Sequence, residues 1–116
     1  MNDFVPLEQD ECILLVNWLE LLGGDKILEF SHTAQETYTK SWHQKAMNKK
    51  MGVRPGVPDY IVVTQKAVLF VEMKRKKGGA VTKAQARWLK AIHQAGGEAR
   101  ICYGFDDAKK FIEQFI

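Results

Sequence analysis

The sequence predicts an α/β fold, a mixed central β-sheet flanked by α-helices, in one domain over residues 1–116. Three observations lead there. Two short runs rich in β-branched and aromatic residues, Asp59–Thr64 and Ala67–Arg75, are separated by only Gln65 and Lys66. Segments with apolar residues at helical spacing lie on both sides of them. The two kinds of element alternate along the chain, which sets helices against a sheet.

In chain order, Leu7 to Leu22 is expected to be a helix, because Cys12, Leu15, Leu19 and Leu22 recur at helical spacing and Gly23-Gly24 ends the run. Lys26 to Ser31 is a short strand candidate. A polar stretch from His32 to about Thr39 leads to a basic amphipathic helix from about Lys40 to Met51, stopped at Gly52. Arg54-Pro55-Gly56-Val57-Pro58 is a loop, since two prolines and a glycine forbid regular structure. The two strand candidates then form a hairpin, although Gln65-Lys66 lacks the Asn-Gly type of turn signal. After the loop Lys77-Gly78-Gly79-Ala80, a helix runs from Val81 or Thr82 to Ala95. A strand over Glu98–Tyr103 follows Gly96-Gly97, and a short helix over Asp106–Phe115 closes the chain, with Asp106 or Asp107 near its N-terminus. The predicted order is α-β-(α)-β-β-α-β-α.

A chain of 116 residues suffices for one core, and a 46% hydrophobic, 27% charged composition excludes a disordered or fibrous protein. No apolar stretch is long enough to cross a membrane, and Met1–Asp10 lacks a secretory pattern, so a cytoplasmic, intracellular protein is expected. Cys12 and Cys102 lack metal-ligand spacing and read as buried free thiols. The three histidines also lack ligand spacing. The net charge is only +3, but its distribution is uneven. Lys40, Lys45, Lys49, Lys50 and Arg54 occupy a segment without an acid, and Lys74-Arg75-Lys76-Lys77 is an unbroken basic run. Such clusters suit a polyanion such as DNA, whose phosphates exchange bound counterions for protein cations; a solvated lysine-rich surface explains them equally well.

The hairpin sets a register. With Gln65-Lys66 at its centre, Thr64 faces Ala67, Ile61 faces Phe70 and Asp59 faces Glu72. Opposed residues share one face of a sheet, and Lys74, two beyond Glu72, shares it too. Opposed carboxylates repel, so something must offset them. Lys74 alone can do so, in which case the group is a salt-bridge cluster at the end of the hairpin. A hard divalent cation does so better, because it binds through one or two carboxylates plus waters and phosphate oxygens. It also lowers the pKa of a bound water.

Pro58-Asp59, followed thirteen positions after the aspartate by Glu72-Met73-Lys74, resembles the PD-(D/E)XK nuclease signature. The longer string Gly52-Val53-Arg54-Pro55-Gly56-Val57-Pro58-Asp59, then Phe70-Val71-Glu72-Met73-Lys74, then Gln85, is similar to the virus-type replication-repair nuclease family, VRR-NUC, and the likeness spans nearly the whole chain. This resemblance implies a restriction-endonuclease-like core, dependence on Mg²⁺ or Mn²⁺, and hydrolysis of phosphodiesters in branched or flapped DNA. Stand-alone members of this size are similar to Holliday-junction resolvases and are expected to be homodimers; a phage or prophage source suits them. Residue by residue, the resemblance assigns Asp59 and Glu72 to metal binding, with the Met73 carbonyl as a further ligand, and Lys74 to catalysis. Glu8 matches the acid at the start of the first helix that lies near the metal. The chain departs from the pattern at His32-Thr33-Ala34-Gln35, where members often carry Asn-Gly.

Several choices stay open at this level. Glu11 competes with Glu8 for the helix-one role, and periodicity does not separate them, although the family spacing favours Glu8. Both acids also suit a helix's first turn without any further task. Gln85 fits a capping box with Thr82, yet it lies on the stripe of Trp88, Leu89 and Ile92 that should face the sheet, where an amide needs a polar partner. Lys83, Arg87 and Lys90 lie on the opposite stripe and join Lys45, Lys49, Lys50, Arg54, Arg75, Lys76 and Lys77 as cations available to DNA or to solvent. Trp42, among cations near Tyr38 and His43, can stack on a base, but packing on the core or on a second copy is favoured. The leading expectation is a metal-dependent endodeoxyribonuclease. A catalytically silent nucleic-acid-binding module and an interaction protein with an incidental acid cluster are the alternatives.

Overall fold

The β2–β3 hairpin organises the molecule, and its register follows from its two-residue loop. Tyr60 pairs with Val71, Ile61 with Phe70, Val62 with Leu69 and Val63 with Val68. Thr64 N–H donates to the Ala67 carbonyl (2.9 Å), while the Thr64 hydroxyl oxygen accepts from the amides of Lys66 and Ala67, both at 3.1 Å. The threonine side chain thus organises the turn, the role an Asn-Gly pair usually fills.

The computed structural model describes residues 4–33 and 41–116. Its elements are α1 (Glu8–Leu22), β1 (Ile27–His32), α2 (Trp42–Lys50), β2 (Tyr60–Thr64), β3 (Val68–Lys74), α3 (Lys83–Gln94), β4 (Glu98–Tyr103) and α4 (Phe105–Glu113). Tyr38 and the Ala34-Gln35 step lie outside the described residues, as does Lys40, at which the second helix was expected to begin. The sheet order is β1-β2-β3-β4, with β4 parallel to β3 and the other pairs antiparallel. This is the mixed, helix-flanked sheet that the sequence predicts.

Alternation along the strands separates two faces. Val62, Leu69, Val71, Met73 and Cys102 are fully buried with Leu15 and Leu19 of α1 and Ala108, Phe111 and Ile112 of α4, and they form the core. The other face carries Ile61, Phe70, Glu72 and Lys74 and meets α3 at the β4 side. His93 Nε2 lies 2.7 Å from the Ala99 carbonyl and fastens α3 to β4.

Two expectations about packing are corrected. Cys102 is buried, but Cys12 is only half-buried beside the Tyr60 hydroxyl. Burial pushes both thiols up, Cys12 to about 11 and Cys102 to about 12, so neither is a thiolate near neutral pH. Trp42 does not pack on the core: it is 86% exposed, with Lys45 Nζ 5.6 Å from its ring centroid. The helix that carries it buries none of its residues and touches no other described helix or strand. Helical periodicity gave Trp42 an apolar side, but no other described helix or strand lies against it.

Candidate active site

The antiparallel ladder of β1 and β2 runs past its last regular pair, because Thr33 N–H donates to the Asp59 carbonyl at 2.7 Å. The Thr33 hydroxyl donates to the Pro58 carbonyl, also at 2.7 Å. The backbone at Pro58-Asp59 is therefore held from one side by β1. From the other side, Met73 N–H donates to Asp59 Oδ2 at 2.8 Å, so the side chain of one strand is held by the backbone of the next. Glu72 and Asp59 meet on this shared face through a side-chain hydrogen bond.

Glu72 is buried, with a relative exposure of 3%. Burial, followed by the charge of Asp59 and the hydrogen bond to it, pushes its carboxyl up to about 8, against the opposing pull of Lys74. Burial beside a second carboxyl thus favours the protonated form of Glu72 near neutral pH. Glu72 Oε2 also accepts from Gln85 Nε2 at 3.1 Å and lies 4.0 Å from Lys74 Nζ. The aliphatic stem of Lys74 packs under Gly79, where a Cβ would come within 3.1 Å of Lys74 Cβ. The Gly78-Gly79 loop thereby leaves room for the lysine to lie against the sheet.

Both readings of Gln85 hold at once. Its Oε1 accepts from Thr82 N–H (3.0 Å) and its N–H donates to the Thr82 hydroxyl (3.1 Å), which completes the capping box of α3. Its amide nitrogen remains to serve Glu72. The loop before β2 presses on the same helix start. Gly56 has φ +86°, and a Cβ there would lie 2.4 Å from the Ala84 carbonyl carbon and 2.7 Å from Gln85 N. Trp88 Nε1 donates to the Pro55 carbonyl at 3.1 Å and fixes the loop from the second turn of α3.

These pieces enclose a cleft of about 550 Å³ lined by Glu8, Arg54, Asp59, Glu72, Lys74 and Gln85, together with His32, Thr33 and Thr82. Partial burial and the nearby Asp59 push Glu8 above the ordinary carboxylate range, and Lys74 opposes them. Glu11 is elsewhere. It is 2% exposed, and its Oε1 accepts from Phe105 N–H at 3.1 Å, at the first residue of α4. Geometry therefore separates the two acids: Glu8 faces the cleft, and Glu11 serves the N-terminus of α4. His32 and Thr33, which the sequence marked only as part of a departure from the family pattern and gave no role, also line the cleft.

The cations expected to meet DNA divide into groups. Arg54 lines the cleft. Lys45, Lys49 and Lys50 are exposed on α2, and Lys83 and Arg87 on the outer side of α3. Lys76 and Lys77 are exposed after β3, with Lys76 Nζ 3.9 Å from Asp106 Oδ2. Arg75 differs from this set: its guanidinium donates to the carbonyls of Pro6 (3.1 Å) and Val5 (2.8 Å).

Hard oxygen donors, Glu8, Asp59 and Glu72, converge on one cleft, and that chemistry suits Mg²⁺ or Mn²⁺. They do not form a closed cage: among the described residues no three acid, histidine or cysteine side chains are already arranged around one ion. Mg²⁺ is commonly held by one or two carboxylates and completed by water and phosphate oxygens, and the Asp59–Glu72 pair fits that mode.

The VRR-NUC domain model matches residues 4–106. A solved structure described as a VRR_NUC domain protein superposes with a TM-score of 0.76 at 22% identity, over 100% of this chain and 91% of that one. At this identity the likeness is one of fold. No curated protein matches the chain. No described helix is long and apolar enough to cross a membrane.

Proposed function

This chain belongs to the VRR-NUC domain family, and from that premise we propose that it is a divalent-metal-dependent endodeoxyribonuclease acting on branched or otherwise structured DNA. The observation that carries this reading is the Asp59–Glu72 pair, with Glu72 buried, pushed up to about 8 and 4.0 Å from Lys74 Nζ. A surface salt-bridge cluster has no need to bury an acid against another acid. A site that takes up a divalent cation does, because the ion would offset the repulsion between the two carboxyls.

Asp59, Glu72 and the Met73 carbonyl are the groups that would hold Mg²⁺ or Mn²⁺, with Glu8 across the cleft. When bound, the ion supplies Lewis-acid stabilisation of phosphate charge and lowers the pKa of a water. The chain's own residues do the rest. Met73 N–H anchors the Asp59 carboxyl through Oδ2, and Gln85 holds that of Glu72 through Oε2. Lys74 brings a positive charge to the face where negative charge develops on the phosphate during attack. Arg54, with Lys45, Lys49, Lys50, Lys83 and Arg87 beyond it, offers phosphate contacts outside the reacting centre.

The exposed apolar residues Trp42, Met47 and Met51 at the second helix support a homodimer, in which two clefts cut two strands of one junction. Sedimentation velocity tests that part. For the activity, labelled duplex, flap and four-way-junction DNA are incubated with Mg²⁺, Mn²⁺ or EDTA, alongside Glu72→Ala. Cutting that needs metal and is lost in the variant supports the nuclease reading, and the ranking of substrates identifies the preferred structure. Equal inertness of wild type and variant, with DNA binding intact, would leave a silent binding module as the better account.

A further inference from the structure

Arg75 sits in a run of cations, yet its guanidinium is committed within the chain. Nε donates to the Pro6 carbonyl and Nη2 to the Val5 carbonyl, at 3.1 and 2.8 Å. These two carbonyls belong to the segment entering α1, which begins at Glu8. Leu7, at the N-cap, makes no side-chain cap, so no hydrogen bond from the N-cap side chain fixes the helix start. A planar fork on successive carbonyls fixes the direction in which the chain enters the helix, whereas a lysine ammonium offers only a point donor.

A second tie lies one turn further along α1. Glu11 accepts from Phe105 N–H, and the neighbouring Gly104 N–H donates to the Lys74 carbonyl at 2.8 Å. The end of β3, which supplies Glu72 and Lys74, is thus linked to α1 both before and after Glu8. Among the described residues, no hydrogen bond to the Glu8 carboxylate accounts for its place in the cleft. Its position follows from how the helix start is held.

We propose that Arg75 is a positioning residue for Glu8, acting through the Val5 and Pro6 carbonyls, and not a phosphate contact. This rests on the reading that Glu8 joins Asp59 and Glu72 in taking up a divalent cation. Residues that orient a metal ligand typically change affinity for the ion by about 10- to 100-fold when replaced.

The test is a double-mutant cycle of Arg75→Lys and Glu8→Ala in the full chain. Mn²⁺ binding is followed by the electron paramagnetic resonance of the free ion, and DNA affinity is measured in EDTA over a range of salt. Arg75→Lys keeps the charge and loses the fork. It is expected to weaken Mn²⁺ binding about 10-fold, to leave DNA affinity and its salt slope as in wild type, and to have little further effect on Mn²⁺ once Glu8 is alanine. Arg75→Gln, which keeps a donor but neither fork nor charge, gives a second cycle should the lysine variant not fold. Mn²⁺ binding that survives Arg75→Lys overturns the proposal. So does a DNA affinity and salt slope reduced in Arg75→Gln but kept in Arg75→Lys, the signature of a phosphate contact. Equal Mn²⁺ loss in both backgrounds also overturns it, because the effect then does not pass through Glu8. If Glu8→Ala alone binds Mn²⁺ like wild type, it is the assignment of Glu8 that has failed, and a positioning role falls with it.

Discussion

Gln85 donates its amide to Glu72 Oε2 at 3.1 Å while the oxygen of the same amide accepts from Thr82 N–H at 3.0 Å. One side chain therefore both starts α3 and holds a site carboxylate. Gln85→Glu separates the two tasks, since glutamate also completes a capping box. The variant is expected to keep its helix content and lose about 10- to 100-fold in cleavage, because a third carboxylate now faces Glu72. Circular dichroism and single-turnover cleavage check the pair of outcomes, and full activity would remove Gln85 from the site.

Glu72 makes stability depend on pH. Its carboxyl is pushed from the ordinary 4.5 up to about 8 by burial and by Asp59. Between those values the folded chain binds more protons than the unfolded one, so stability contributed by this group falls as pH rises from about 4.5 through 8. Glu72→Gln keeps the shape without the charge and is expected to flatten this decline. Urea unfolding in EDTA at several pH values measures it. With Mn²⁺ present, ion binding should strengthen toward pH 8 and release a proton, which titration calorimetry in two buffers detects.

Glu8 and Glu11 should behave oppositely. Glu11→Ala leaves the Phe105 amide buried without its partner and is expected to lower stability by about 1–3 kcal/mol. Glu8→Ala removes a cleft acid that repels Asp59; it should leave stability unchanged or slightly raised and abolish most metal-dependent cutting. Chemical denaturation together with cleavage assays resolves the two, and a destabilised Glu8→Ala would contradict the division of roles.

Gly56 and Gly52 share a positive φ, +86° and +87°, but of the two only at Gly56 would a Cβ meet backbone, 2.4 Å from the Ala84 carbonyl carbon. Gly52→Ala should cost about 1 kcal/mol, the conformational penalty alone. Gly56→Ala adds a clash that neither Ala84 nor Gln85 can relieve without moving, so it should cost at least ~2 kcal/mol more and reduce cutting as well. Equal melting points for the two variants would show that the loop can lift from α3 freely.

The hairpin register was legible because the loop has two residues and the flanking β-formers admit no other centre. The acid pair and its lysine followed from that register together with the two-residue period of a strand. The Thr64 side chain explains why a turn without Asn-Gly still closes. What stayed illegible depends on contacts distant in the chain. Glu11 is told from Glu8 only by the Phe105 amide, and Arg75 from its neighbouring cations only by the carbonyls of Val5 and Pro6. No local pattern marks an arginine that binds backbone instead of phosphate. Trp42 shows a related limit: periodicity reveals an apolar side to a helix but not whether anything lies opposite it.

The parts of the cleft also differ in how far along the chain they must search for one another. Asp59 and Glu72 are joined by the tightest loop in the sheet, a closure with little entropic barrier, and Gln85 follows soon after on the next helix. Glu8 must wait for α1 to dock on β1, β3 and α4, the last of which is the final element of the chain. A chain whose hairpin has closed before α1 docks holds the two acids already opposed, with Glu8 not yet beside them. The three acids therefore share one cleft only when α1 has docked, so the cleft is assembled by the finished fold and not by the hairpin alone.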